Sequence, residues 1–352
     1  EFTVLLEDLD DEGEVVGIVE RIAEVLRGSV HIAGREISTS ASLGVAFSHG
    51  EYTSPDAFLR DADTAMYEAK VSGKAHSVVF DLSMNTRATE RLEIESGMQQ
   101  ALDRGEFTLH YQPIMHLESG KLSGVEALVR WNHPTMGLIP PIKFIPVAEQ
   151  TGLIVPLGRW VLEEACSHMK HLNAEHPDSP DLTVSVNLSM IQLQQNDIVE
   201  QVKEVLKSTG LDARHLKLEI TESVMMHDPD HTIPQLKALE ELGVRLAVDD
   251  FGTGYSSLGY LSTLPLDTLK IDRTFVNKME NSSADTAIVQ AIITLAKTLN
   301  LNITCEGVET QAQYSHLHAL GCDHAQGYYI ARPLTSENLD IFVDPVRISA
   351  AA

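Results

Sequence analysis

The chain has 352 residues, is 43% hydrophobic, and carries 26 Lys+Arg against 51 Asp+Glu, for a formal net charge of −25. The hydrophobic fraction suffices for a substantial core, and the length suits two domains. The charge argues against nonspecific binding of DNA or RNA and against contact with an anionic membrane. Three cysteines, Cys166, Cys305 and Cys322, lack CxxC spacing. They fit a reducing, cytoplasmic compartment better than a disulfide framework or a zinc site. No apolar run approaches the ~20 residues of a membrane span. No signal peptide is visible, and the chain does not begin with Met, so it reads as a fragment of something longer in which sensor or membrane segments can stand upstream.

Residues 1–80 form a first block. FTVLLEDL reads as a strand, and DEGEVVGIVERIAEVLRG as an amphipathic helix stopped by Gly28. REISTSASLGVAF reads as a strand. SPDAFLRDADTAMYEAKVSG follows as a helix capped by Ser54, with Pro55 in its first turn. SVVF closes the block as a short strand, and residues 81–105 read as a helical connector. Eight strand candidates follow over 106–345: FTLHYQPIM, SGVEALVRW, TVSVNLS, HLKLEIT, RLAVDDF, TLKIDR, NITCEGV and DHAQGYYI, with helical stretches between most of them. That pattern predicts an α/β fold, a (β/α)8 TIM-like barrel. An open doubly wound sheet is the alternative, but no Gly-rich fingerprint follows the first strand.

Barrel enzymes place their chemistry at the C-terminal ends of the strands. Polar residues recur there: Glu126 in EALVRW, Asn187, Glu219, Asp249 and Asp250, Lys270, and Glu306. An isolated acid in a strand is costly to bury, so several converging acids suggest a shared cation site. Glu126, Asn187, Glu219 and Asp249 offer four oxygen donors for Mg²⁺ or Mn²⁺, and Asp250 offers a second site bridged by Asp249. Two ions ~3.5–4 Å apart are a recurrent device for cleaving phosphodiesters. They would also supply the positive field that this acidic chain lacks. Lys270 could orient a water, and Arg130 a phosphate oxygen. Each residue alone has a plainer reading. Asp249-Asp250 could be a solvated strand end, Glu126 an edge position, Lys270 a surface charge, and Cys305 a small packing residue. The joint pattern favours a site.

Long stretches now point to a family. YQPIMHLESGKLSGVEALVRWNHP, FIPVAEQTGLI, SVNLS, LKLEITES, VRLAVDDFGTGYSSLGYLSTLPLDTLKIDRTFV, CEGVETQAQ and QGYYIARPL resemble the EAL-domain cyclic-di-GMP phosphodiesterases. The resemblance covers residues 83–345. It implies a barrel that hydrolyses cyclic di-GMP to linear pGpG using Mg²⁺ or Mn²⁺, two ions per site. It further implies Glu126, Asn187, Glu219 and Asp249 as ligands of one ion, Asp249 and Asp250 as ligands of the other, and Glu306 nearby. Lys270 would contact the water, and Gln112, Arg130, Gln326 and Glu309 would line the substrate. Glu222 would anchor the loop 251–258, FGTGYSSL. Departures are small, such as Cys305 where Ala is more usual, and Pro140-Pro141. Residues 1–80 resemble the C-terminal half of a GGDEF diguanylate cyclase domain, with Glu1-Phe2 as the last letters of that signature, which implies no cyclase activity in this chain. The rival function is a silent receptor that binds cyclic di-GMP; the unbroken acids favour the enzyme. The resemblance also implies a homodimer through the barrel near loop 251–258.

Overall fold

The computed structural model describes the chain except at residues 1, 8, 10, 33–34, 39, 49, 51, 72–76, 177–181, 227, 253–260, 262, 281 and 344–352. The chain divides into two units, Glu1–Ser96 and Gly97–Ala352.

The first unit contains α1 (Glu12–Leu26), β1 (Ser29–Ile32), β2 (Arg35–Ser38), β3 (Leu43–Val45), α2 (Pro55–Val71), β4 (Ser77–Val79) and most of α3 (Leu82–Ala101). Asp11 caps α1 by accepting the Glu14 N–H (3.0 Å), and Ser54 caps α2 by accepting the Ala57 N–H (3.2 Å), as helix starts with orphan N–H groups require. A Cβ at Gly44 would lie 2.1 Å from backbone atoms of α2, so β3 packs on that helix as only glycine allows. Two expectations are corrected. Residues 2–7 are not a strand, and Phe2, Val4 and Leu5 are exposed; a strand needs a paired edge, and no described residue pairs with them. The run REISTSASLGVAF splits in two. Its first part pairs antiparallel with β1 and its second pairs parallel with β4, so the halves belong to different sheets.

The second unit is a closed barrel. β5 (Phe107–His116) and β6 (Lys121–His133) form a hairpin that β7 (Gly137–Ile139) extends outside the barrel. From β6 the sheet runs through β8 (Thr183–Asn187), β9 (Leu216–Thr221), β10 (Arg245–Phe251), β11 (Thr268–Ile271), β12 (Asn302–Cys305) and β13 (His324–Gln326), which pairs back to β5. The alternating pattern over 106–345 therefore does give an eight-stranded α/β barrel. Its first strand is reversed, antiparallel to both neighbours. The cause is local. Only residues 117–120 separate β5 from β6, with Gly120 at φ 62°, and so short a link permits a reverse turn but no parallel crossover.

The strands alternate along their length. Val184, Val186, Leu218, Ile220, Leu269, Ile271 and Ile303 are buried apolar positions interleaved with Ser185, Asn187, Glu219, Lys270 and Thr304. Period-2 alternation sends one set to the helices and the other to the barrel axis. Long helices cover the outside, among them α4 (Pro141–Thr151) and α5 (Ile154–Glu175). One-turn helices follow three strand ends directly or within a few residues: α6 (Met190–Leu193) after β8, α8 (Glu222–Met226) after β9 and α10 (Arg273–Val276) after β11. Between them lie α7 (Ile198–Thr209) and α9 (Pro229–Glu241), and α11 (Ser283–Thr298), α12 (Gln311–Ala319) and α13 (Ser336–Val343) complete the fold. Among the described residues, no helix is long and apolar enough to cross a membrane.

Candidate active site

Lys270 stands at the centre of the C-terminal end of the barrel and is 1% exposed. Its Nζ touches Glu219 Oε2, Glu306 Oε1 at 2.5 Å, Asp249 Oδ1 at 3.2 Å and Glu126 Oε2 at 3.6 Å. These carboxylates come from β9, the residue after β12, β10 and β6. Residues 180 positions apart thus meet around one ammonium group.

The pair Asp249-Asp250 reaches the site through a bulge. Along β10 and β11, Val248 pairs with Leu269 and Phe251 with Ile271, so two residues of β10 oppose Lys270 alone. Asp250 takes φ 54°, in the left-handed region that a non-glycine residue rarely adopts. Strict alternation would send adjacent acids to opposite faces; the bulge aims both at the cup. Asp249, Asp250 and Glu306 each present a ligand atom within 4.8 Å of the others.

Amides fix Glu126. The Gln326 Nε2 donates to Glu126 Oε2 (2.6 Å) and to Gln112 Oε1 (3.1 Å), while the Asn187 Nδ2 donates to Glu126 Oε1 (2.8 Å). Gln112 is itself held by donation to the Ala331 carbonyl (3.2 Å). Two glycines permit the close crossings behind these residues. A Cβ at Gly327 would lie 2.2 Å from the Val308 backbone, and one at Gly307 would lie 2.3 Å from Arg273 Cβ. Glu222 heads α8 and accepts the Gly252 N–H at 3.2 Å, which ties β9 to the chain just past the two aspartates. The remainder of the expected loop, including Thr253 and Ser256, lies outside the described residues.

The acids strain against their own charge. If all are ionised, Glu126, Glu219, Asp249, Asp250 and Glu306 oppose one ammonium, leaving five minus one, or four, excess negative charges. Burial pushes the Glu219 carboxyl up to about 7 in spite of Lys270, and burial holds Glu306 well above the usual carboxylate range. Asp250 is raised by burial and by Asp249 and Asp272. At Glu126 burial acts in the same sense but loses to Lys270 and the amides of Gln326 and Asn187, so its carboxyl is lowered. Lys270 is buried too, yet the surrounding acids hold its ammonium far above the usual value. Glu219 Oε1 and Gln326 Oε1 are buried without a hydrogen-bond partner. Surplus charge, orphaned oxygens and an all-oxygen donor set fit a hard divalent cation.

A cleft of about 400 Å³ opens over this cluster. Of the residues anticipated from the sequence, Gln112, Glu126, Asp249, Asp250, Glu306, Glu309 and Gln326 line it. Glu219 and Lys270 lie beneath, and Asn187 stands beside Glu126. Arg130 is not among the lining residues; its guanidinium donates to the Val129 carbonyl of its own strand (2.9 Å). Sequence reasoning missed Leu128, Asp272, Arg273, Gly307, Gly327 and Tyr328, all of which line the cleft. Asp272 and Arg273 follow Lys270 in TLKIDR, and Tyr328 follows Gln326 in QGYYI, so proximity to an assigned residue was the available signal. Tyr328 also carries the Arg332 guanidinium over its ring, 4.5 Å from the centroid.

A closed α/β barrel with one reversed strand and an acidic, cation-accepting cleft at its strand ends defines the class of protein. The particular family follows from comparison with known proteins. Residues 96–333 match the EAL domain, and residues 1–76 match the diguanylate cyclase, GGDEF domain; the chain belongs to the EAL domain family. It is 43% identical over 337 residues to the bifunctional diguanylate cyclase/cyclic di-GMP phosphodiesterase MucR of Pseudomonas aeruginosa, covering 96% of this chain and 49% of that protein. It is 40% identical over 351 residues to the cyclic di-GMP phosphodiesterase NbdA of the same organism, covering all of this chain and 44% of that protein. The chain thus spans about half the length of the curated relatives it matches. Among solved structures, the PaMucR phosphodiesterase in complex with c-di-GMP superposes with a TM-score of 0.67 at 47% identity, covering 70% of this chain and 99% of that one.

Proposed function

We propose that this chain hydrolyses cyclic di-GMP to linear pGpG with the help of two divalent cations, Mg²⁺ or Mn²⁺. The observation that carries the reading is the convergence of four carboxylates on Lys270, with Asp250 brought alongside them by the bulge at Asp249-Asp250. The similarity to cyclic-di-GMP phosphodiesterases supports the substrate. Glu126, Asn187, Glu219 and Asp249 would hold one ion, and Asp249 and Asp250 the other, with Glu306 beside it. Bound there, the ions supply positive charge to a phosphate that this acidic protein would otherwise repel.

The chain's own residues do the positioning. Lys270 donates hydrogen bonds from Nζ that orient the attacking water. Glu306, in contact with Lys270 and open to the cleft, is placed to take the proton that the water gives up. Gln112 and Gln326 hold Glu126 in register, and Glu309 and Tyr328 line the cleft that would take the substrate; Arg130, bonded to its own strand, would have to turn to reach it. Glu222 steadies the chain after the aspartates. The same reading includes a homodimer through the barrel, supported by the family resemblance, and a cytoplasmic site of action, supported by three cysteines without CxxC spacing.

The test replaces Glu126 by alanine and follows cyclic di-GMP and pGpG chromatographically. The expected result is a loss of turnover by orders of magnitude with an unchanged circular dichroism spectrum. A wild-type chain that binds cyclic di-GMP but releases no pGpG with either cation would make it a receptor instead.

A further inference from the structure

All three cysteines are buried free thiols, and two of them touch. Cys322 Sγ lies 3.3 Å from Cys305 Sγ, and it also faces the carbonyls of His324 (3.2 Å) and Ile303 (3.6 Å). Cys305 is the last residue of β12, wholly buried, and paired to Ile271 on one side and Ala325 on the other. Cys322 lies in the short irregular stretch between α12 and β13 and is 5% exposed. The residue after Cys305 is Glu306, whose N–H donates to the Ile271 carbonyl (3.1 Å) and whose carboxylate meets Lys270. The dithiol therefore sits directly behind the site.

We infer that Cys305 and Cys322 form an oxidisable pair, closed to a disulfide by hydrogen peroxide, and that closure displaces Glu306 and slows hydrolysis in the cleft. The chemistry balances. The sulfur of Cys322, the more exposed of the two, attacks one peroxide oxygen; the O–O bond breaks, and one water leaves, giving a sulfenic acid. The sulfur of Cys305 then attacks that sulfur; the S–O bond breaks, and the oxygen departs as a second water. The two thiols lose two electrons and two protons, and hydrogen peroxide takes up both. The sulfurs must approach from 3.3 Å to the ~2.05 Å of a disulfide. β12 is pinned on both sides, so the irregular stretch at Cys322 supplies most of the movement. What remains falls on the end of β12, where Glu306 leaves the strand. In a reducing compartment such a bond is transient, which suits a sensor better than a staple.

The consequence for hydrolysis rests on the phosphodiesterase reading, whereas bond formation does not, so two readouts separate them. The native chain is exposed to hydrogen peroxide, denatured, alkylated and digested. The expected product links the Cys305 and Cys322 peptides, with Cys166 alkylated as the internal control. Three alkylated cysteines, or Cys305 and Cys322 oxidised singly without a link, would overturn the inference even if the chain proved to hydrolyse nothing. Turnover of cyclic di-GMP should fall by at least about 10-fold on oxidation, the scale on which disturbed supporting groups affect a metal site, and dithiothreitol should restore it. Cys322→Ser should match the wild type in reductant and keep its rate in peroxide. Equal loss of rate in Cys322→Ser, or a linked wild type at full rate, would refute the coupling to Glu306.

Discussion

Replacing Lys270 by alanine removes the one ammonium that faces four carboxylates and leaves those buried acids uncompensated. Breaking a buried ion pair in this way costs about 3–5 kcal/mol, so the variant's melting temperature should fall and then recover as Mg²⁺ is added. Its turnover should drop by about 10²-fold or more, with a smaller change in cyclic-di-GMP affinity, because in the proposed reaction its partner is the water. A Lys270→Ala rate near wild type would remove the assigned role. A second residue gives a pH test away from the cation site. Burial, helped by Lys217 and His116, depresses the His324 imidazole from 6.5 to about 4, and its Nδ1 is buried without a partner. Between those values the unfolded chain binds a proton that the folded chain does not. Stability is therefore full above pH 6.5 and is lost as the pH falls toward about 4, by roughly 1–3 kcal/mol. His324→Gln should flatten the fall in melting temperature over that range. Parallel melting curves for variant and wild type would contradict the assignment. The sequence singles out Lys270, Glu126 and Glu219 because a charge in a β-branched run is anomalous. His324 carries no such mark, since a histidine at a strand start is unremarkable until its neighbours are known.

At the scale of elements, the end of β10 decides whether two adjacent aspartates can serve one site. The period-2 rule read from RLAVDDF cannot place both on the same face. Their joint role was read from the converging acids at the strand ends, and the bulge against Lys270 with the left-handed Asp250 supplies the physical reason. The reversed β5 was likewise hidden in the strand pattern, although the four residues before β6 were enough to indicate a hairpin. Glu222 bears on the same strand end. Its carboxylate accepts the Gly252 N–H, and its other oxygen is buried without a partner. Charge-assisted bonds of this kind contribute roughly 1.5–3 kcal/mol, of which Gln, a neutral acceptor for the same N–H, retains a part. Glu222→Gln should therefore raise the Mg²⁺ concentration needed for activity and lower turnover, while the melting temperature moves little. If Glu222 only begins α8, the melting point should fall with turnover and Mg²⁺ requirement unchanged. Magnesium titration and thermal melting of one variant decide between them.

For the whole molecule, composition bounded the possibilities, and the alternation of strands with helices gave the barrel. The first unit was less legible. Its helices followed from caps and periodicity, but its strands depend on which edges meet, and that information is not local. The chain should make no cyclic di-GMP from GTP, and removal of residues 1–80 should leave hydrolysis within a few fold of the parent. A folded barrel without activity after that deletion would show that the first unit is required. Cation-dependent hydrolysis at the Lys270 cluster, the proposed function, is reached most directly by one measurement. The purified chain is incubated with cyclic di-GMP after treatment with EDTA, then with Mg²⁺, Mn²⁺ or Ca²⁺ restored, and pGpG is quantified. The predicted result is no product in EDTA, full turnover with Mg²⁺ or Mn²⁺, and little with Ca²⁺, whose longer bonds and looser geometry suit a two-ion site poorly. Undiminished pGpG in EDTA would contradict it.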